Sequence, residues 1–568
     1  MGRLKLFLIT VLALTSWVHT SAQSLVLQNI KEQTRLDTNS NLIFSGDELL
    51  YRVVVQADNQ ERSEIAYVNL MDDTGKTLFF HKVAINEKGI GSDSFTIPTD
   101  AKTGNYKLLS YTSWSKNNTK SAYFSQDLVI INPFIPLQQK IPANAETYTI
   151  TQKEGPNEFA DNSSPLNLQL DAQKYATRKE VLLNITVANM AFEANYGLSI
   201  RQVQKAQPDQ KLRAYFIDQE KKRNEIYLPE IKGELISGTL KSEGTSAAVS
   251  DQLVSLSIPG EKSLYKLTKS NNKGKFIFLI DQPYDTSQAI IQTLDTEDDF
   301  KIVIDKIASE PAEKLNYKNV VLDPSLANWI TEQSIDLQIE NAYKELPINN
   351  KEDSTKNLKF YDPFAIRYVL DDYTRFPSMH ETFTEILELA AMRIDAEQVR
   401  VLIYNTNPII RNELDKLAPL VLIDGIQIQD FSLLANLNPA RVDFIDIVPH
   451  QYRYGPKIFG GIVAVSTKEN NFKLPENSVN TLNFELLASI KTADFEPKTY
   501  QNTTDLNRIP DYRTQLYWDP QVAITQKPQH ITFFTSDKQG IFEIALTGYS
   551  VSGEKIEVKK TFRVSAEQ

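Results

Sequence analysis

The sequence predicts a mainly β, multidomain protein with one small α+β domain in its second half. Short β-rich runs recur along most of the chain, separated by Gly-bearing turns at the spacing of β-sandwich strands. One stretch, 361–468, instead interlocks helix, hairpin and strand signals. The length of 568 residues allows about three to five domains, each with its own core.

Composition narrows the class. Hydrophobic residues make up 41% and charged residues 23%, ordinary for a globular chain. The net charge of −11 argues against a phosphate-binding surface, so nucleic acid is not an expected partner. Cysteine is absent. That excludes disulfides, thiol catalysis, Cys-ligated zinc and a lipid-modified Cys. Residues 1–22 read as a signal peptide: Arg3 and Lys5 precede the apolar run 6–14, and Thr20-Ser21-Ala22 supplies small residues before an expected cut at Gln23. No later apolar run has the length of a transmembrane helix. An exported, Cys-free chain of this size fits a Gram-negative envelope. The expected location is the periplasm, the outer membrane or the cell surface.

Residues 24–135 read as a β-sandwich. Runs 49–55, 65–70, 77–80 and 106–111 are β-rich, and Asp73-Thr74-Gly75, Glu87-Lys88-Gly89 and Lys102-Thr103-Gly104 punctuate them. The order Ser45-Gly46-Asp47, Tyr67-Val68-Asn69-Leu70, Phe95-Thr96-Ile97-Pro98, Gly104-Asn105-Tyr106, Tyr111-Thr112-Ser113-Trp114 and Asn132-Pro133-Phe134 resembles an MG2-type domain of the α2-macroglobulin superfamily. The reactive thioester of that superfamily needs a Cys, so its protease-trapping chemistry is not implied here.

Residues 136–164 are polar and read as a linker. Residues 165–225 alternate as strands and are similar to a second macroglobulin-type sandwich. Residues 226–310, with Ile236-Ser237-Gly238-Thr239-Leu240 and Lys273-Gly274-Lys275-Phe276, resemble a carboxypeptidase-regulatory-like β module, which implies no catalytic residues. The connector 311–360 holds an expected helix over 324–343 and a polar loop. Residues 480–568 read as a closing, macroglobulin-like sandwich.

The central stretch 361–468 is the most specific. Ser378 with Glu381 three positions on is a capping-box signature. Phe383, Ile386, Leu387 and Ala390 then predict one apolar helix face. Runs 399–404, 420–423, 442–448 and 462–465 read as strands, and Asp424-Gly425 predicts a tight hairpin. The pieces Leu422-Ile423-Asp424-Gly425, Asn438 to Ile447, Tyr454-Gly455 and Gly461-Ile462-Val463 with Thr467-Lys468 resemble the plug domain of TonB-dependent receptors. A receptor plug sits in a barrel of about 22 strands, each of roughly 9–11 residues. The stretch that follows, 469–568, is too short for that, so the expectation is a plug-like domain without a barrel of its own.

Chemistry is scarce. His380-Glu381 lacks the second His of a zinc-protease helix, because position 384 is Thr384. Of the histidines beyond the leader, His81 and His530 fall in separate modules, and His380 and His450 lie far apart in sequence within 361–468. Asp371-Asp372 and Glu385/Glu388 are paired acids of the kind that also stabilise helix starts. Asp295 to Asp299 lacks the order of an EF-hand loop. No nucleophile elbow or phosphate loop occurs. No catalytic residue, metal or cofactor is therefore assigned. The expected function is a non-enzymatic envelope binding or scaffolding protein whose partner is an outer-membrane or envelope protein. A glycan- or peptide-acting hydrolase using Asp372, Glu381 and Glu385, or a thioester-less protease binder, are the alternatives. Partner recognition is placed on the turn-rich loop 449–459, at Tyr452, Arg453, Tyr454, Lys457 and Phe459, residue types favoured as interface anchors. Packing of those rings on a neighbouring module is the competing expectation.

Overall fold

The computed structural model describes residues 31–58, 61–136, 144–153, 166–187, 194–218, 226–284, 286–296, 298–305, 315–343, 359–395, 398–404, 417–475, 480–490, 495, 497–500, 509–550 and 553–566. The expected signal peptide lies outside them. The fold is mainly β, as the sequence predicts, with ten sheets among the described residues. The chain forms two compact units, Met1–Ile231 with Pro311–Ile348 and Ser489–Gln568, and Lys232–Glu310 with Asn349–Ala488.

In the first unit, strands Glu32–Thr38, Glu48–Ala57 and Ile90–Thr96 form one sheet of a sandwich. The facing sheet runs in the order Ala214–Ile217, Tyr123–Ile131, Gly104–Tyr111, Ile65–Met71, Thr77–Ala84 and Ser489–Ile490. Leu36, Tyr51, Val53, Val68, Leu70, Leu108 and Ile130 fill the space between them. Every residue of Tyr123–Ile131 is buried. Phe124, Leu128 and Ile130 face this core, while Val129 and Ile131 face Tyr148, Ile150, Val320 and Trp329 on the other side. A strand covered on both faces reads as a continuous apolar run rather than an alternating one. Asp127 on this strand is fully buried, as is its register partner Lys107, to which it is bonded.

Several boundaries differ from expectation. Residues 165–225 and 480–568 do not make separate sandwiches. Strand Glu180–Val187 pairs with Leu166–Leu170 on one side and with Gln529–Phe534 on the other. Strand Ala194–Gln202 lies between Gln515–Ile524 and Gly540–Tyr549. Leu168, Val181, Ile185, Leu198, Leu516, Phe533, Phe542 and Phe562 share one core. Each half has apolar faces and open strand edges that the other half closes. Four described strands of these stretches go elsewhere: Thr481–Glu485 joins the second unit, Ser489–Ile490 joins the first sandwich, and Ala206–Pro208 and Ala214–Ile217 pair outside the composite sandwich. The polar stretch 136–164 also contains strand Thr147–Gln152, paired with Ala206–Pro208 and Asn319–Leu322. Helix Ala327–Tyr343 packs there through Trp329, whose ring lies 5.4 Å from that of Phe44, and the turn Pro324–Leu326 before it packs through Leu326. Its entry is set by Asp323, whose carboxylate accepts the Ser325 N–H at 2.8 Å, and by Pro324.

In the second unit, a small β module has sheets Lys275–Ile280/Glu234–Ser242/Phe300–Ile304 and Leu264–Lys269/Leu253–Ile258/Gln288–Thr293/Thr481–Glu485. Its last strand therefore arrives after the α+β domain, which corrects the expected 226–310 boundary. The α+β domain has a five-stranded sheet in the order Ile366–Val369, Val442–Val448, Ile462–Thr467, Leu420–Ile423, Ile426–Gln427. The Ser378 hydroxyl caps helix Met379–Glu385 by accepting the Glu381 N–H at 3.2 Å. The helix ends earlier than its apolar spacing implies. Ile386 and Leu387 are buried in the following turn, and Ala390 sits in strand Ala390–Ile394, paired with Val399–Ile403. Cross-strand pairing takes over a pattern that also fits a helix.

Candidate binding surfaces

The Asp424-Gly425 turn shows how the α+β domain is held. Both residues adopt positive φ, 49° and 82°, as a two-residue hairpin of this kind requires. The Asp424 carboxylate is buried and accepts the Thr467 N–H at 2.7 Å, the Thr467 hydroxyl at 2.6 Å and the Phe472 N–H at 3.0 Å. Asn at this position would lack one of those acceptor oxygens. A Cβ on Gly425 would come within 2.4 Å of the Ser263 side chain. The turn is thus shaped both by its own strands and by the β module against it.

The loop expected to recognise a partner, 449–459, is a hairpin of strands Tyr452–Tyr454 and Lys457–Phe459 rather than an irregular turn. Its rings point inward. The Tyr454 hydroxyl donates to the Tyr265 carbonyl at 2.5 Å, and its ring lies 4.5 Å from that of Phe360. The Tyr452 hydroxyl donates to the Phe360 carbonyl at 2.8 Å. Burial raises the Tyr454 hydroxyl well above its ordinary pKa. Phe459 is buried with Tyr265, Leu420, Leu422 and Ile462. Lys457 pairs with Asp295 at 2.5 Å. Arg453 and Ile458 are exposed. Of the five residues singled out, only Arg453 faces solvent fully, and Tyr452, Tyr454 and Phe459 help to cover the second face of the five-stranded sheet. That face meets strand Leu264–Lys269 through Tyr265, whose hydroxyl donates to Gln427 at 2.7 Å.

The acidic pairs are dispersed. Asp371 bonds Arg375 and Lys468, and those hydrogen bonds hold its carboxyl below the usual range. Asp372, Glu381, Glu385 and His380 are exposed. Trp114 and Tyr111 are buried, as aromatic side chains usually are. Among the described residues no group of three or more His, Cys, Asp or Glu is placed to hold a metal ion, and no helix is long and apolar enough to cross a membrane.

A feature that sequence reasoning missed lies in the first unit. A cleft of about 490 Å³ is lined by the turn carrying Phe44 and Asp47, by Arg201, by Leu337 and Glu340 of helix Ala327–Tyr343, and by Phe495, Lys498 and Tyr512. Arg201 donates to Asp47 at 2.8 Å. Arg513, which also lines the cleft, makes a two-pronged bond to Asp511, both contacts at 2.8 Å. Asp511 is fully buried; burial alone would raise its pKa, but the hydrogen bonds from Arg513 bring it below the usual range. Glu340 accepts the Tyr512 N–H. Burial, with Asp511 nearby, raises the Glu340 carboxyl above its usual value. The signal was hard to find because the lining comes from five separate chain stretches.

No family model matches the sequence. No curated protein matches it either. Among solved structures, the chain is similar to Salmonella α2-macroglobulin reacted with methylamine, at 7% identity over 94% of this chain and 40% of that one, with a TM-score of 0.23. It is also similar to Escherichia coli α2-macroglobulin activated by porcine elastase, at 9% identity over 94% and 44%, with a TM-score of 0.23. The chain spans less than half the length of these two. Similarity at this level carries no activity, partner or site over to this chain.

Proposed function

We propose that the protein is a non-enzymatic binding or scaffolding component of the cell envelope, exported and associated with an outer-membrane or envelope protein complex. Its macroglobulin-like sandwiches serve as spacers, its β module resembles a carboxypeptidase-regulatory-like domain, and its α+β domain is plug-like. The observation that carries this reading is where the buried charged and polar side chains go. Arg52 is fully buried and joins Asp37 to the carbonyls of Pro520 and Thr547, tying the first sandwich to the composite one. Lys538 bonds Asp336 and Glu332, tying the composite sandwich to the helix. Tyr265 bonds Gln427, tying the β module to the plug-like domain. Groups that an enzyme would aim at a substrate are here aimed at neighbouring modules of the same compact unit, which favours fixed packing of modules within each unit. The test is capture from solubilised envelopes, with identification of bound proteins, alongside incubation with peptide and glycan libraries. A reproducible envelope partner without turnover is the expected result. Turnover at enzymic rates would overturn the reading.

A further inference from the structure

The cleft in the first unit has a distinctive balance of charge. Most of its ionic groups already have counter-ions. Asp47 has Arg201, Asp336 has Lys538, and Arg513 has Asp511. Glu340 has no cation within ion-pair distance among the described residues. Among the described residues it accepts a hydrogen bond from the backbone N–H of Tyr512. The charged groups that face it are Asp511, which opposes its ionisation, and Lys498 and Arg513, which favour it; burial and Asp511 prevail, so the carboxyl is held above its usual pKa. Phe44, Leu337 and Phe495 line the same cavity. Its volume, about 490 Å³, lies within the range of about 300–1,000 Å³ typical of small-ligand sites.

A half-buried carboxylate with no counter-ion among the described residues, set among aromatic and aliphatic walls, is complementary to a cation on an apolar stem. We propose that the cleft binds an organic cation, an ammonium or guanidinium such as the lysine or arginine side chain of a peptide, with Glu340 as its counter-ion. Phe44 and Phe495 border the stem, where an aromatic face also attracts a cation. This rests on the binding reading above and adds the ligand class. An acidic ligand is disfavoured because Arg201 is already engaged by Asp47, while Lys498 sits in the field of Glu340 and Asp511.

The test uses the full chain and three capped dipeptides: N-acetyl-leucyl-lysine amide, its neutral norleucine counterpart, and its glutamate counterpart, measured by titration calorimetry. The lysine peptide should bind about tenfold or more tighter than the neutral one, as expected for a charge-assisted hydrogen bond. Its binding should release protons, because the cation favours ionised Glu340. Glu340→Gln keeps an acceptor for the Tyr512 N–H and should abolish the preference without lowering Tm. Lys498→Met should tighten the lysine peptide, since it removes an opposing charge; a merely structural role for Lys498 would not do so. Equal binding of the lysine and neutral peptides overturns the cation assignment but leaves the binding reading standing. Preference for the glutamate peptide, or no binding of any peptide, also overturns it. Hydrolysis of a peptide would instead overturn the binding reading.

Discussion

Replacing Arg52 by Met should destabilise the first unit more than any surface change. The Arg52 side chain is fully buried, and Asp37 is 8% exposed. Met fills much of the volume but donates nothing. The carbonyls of Pro520 and Thr547 then lose their Arg52 donor, and Asp37 keeps Tyr549, at 2.7 Å, and the more distant Lys555. Removing one partner of a buried ion pair costs about 3–5 kcal/mol. At about 2–4 °C per kcal/mol, Tm should fall by about 6–20 °C in scanning calorimetry. The space is tight as well, since a Cβ at Gly197 would lie 2.8 Å from the Arg52 Nε, so Gly197→Ala should destabilise through the same group. In a double-mutant cycle with Asp37→Asn, the combined loss should fall short of the sum by about 1 kcal/mol or more. A loss below about 1 kcal/mol for Arg52→Met, or strict additivity with Asp37→Asn, would refute the idea that this ion pair ties the two sandwiches.

Tyr454→Phe, which removes the hydroxyl bonded to Tyr265, should cost about 1 kcal/mol in denaturant unfolding; Arg453→Ala should change stability little. The fragment 31–218 should keep its first sandwich by NMR while 166–202 stays unfolded, and adding a peptide spanning 509–566 should restore it. Acid should weaken the first unit through Asp511. Its folded pKa lies below the unfolded one, so its contribution is full above about pH 4 and is lost as pH falls through the folded value. Asp511→Asn should therefore flatten the acid side of a plot of Tm against pH.

The local structure of the α+β domain was legible residue by residue. Ser378 caps its helix, Asp424-Gly425 turns its hairpin, and the apolar runs are strands. These signals act over a few positions, so one sequence contains both partners. Strand partnership over long distances was not legible. The alternating pattern of Glu180–Val187 states that one face is buried but not that Gln529–Phe534 covers its edge. Period 2 specifies a face, never a neighbour. The role of Tyr452 and Tyr454 was open for the same reason. An aromatic in a turn-rich loop fits an interface inside the chain as well as one outside it. The cleft was invisible because Glu340 and Lys498 become neighbours only when the helix and the 495–515 stretch meet.

The chain order has a consequence for folding. Asn184 and His530, 346 positions apart, are register partners, and the composite sandwich cannot close until its last strands exist. Closing a loop costs more as the loop lengthens, though only logarithmically. Folding the innermost domain first shortens the effective loop, so later closures become easier. This order requires the innermost domain to fold without its neighbours. Its main core meets the requirement: Tyr368, Met379, Phe383, Val421, Ile423, Ile445 and Val465 come from within 359–475, with Ile290 the buried member from outside it. The opposite sheet face does not, because Tyr265 of the β module covers Leu420, Leu422 and Ile462. The fragment 359–475 should therefore fold cooperatively, yet bind a hydrophobic dye and self-associate. The longer fragment 232–310 joined by a flexible linker to 349–488, which restores Tyr265 and strand Thr481–Glu485 without the helix that packs in the first unit, should stay monomeric and bind little dye. Light scattering and dye fluorescence on both fragments test this. A disordered short fragment would refute inner-first folding. A short fragment that is folded, monomeric and dye-free would show that the β module is not needed to cover that face.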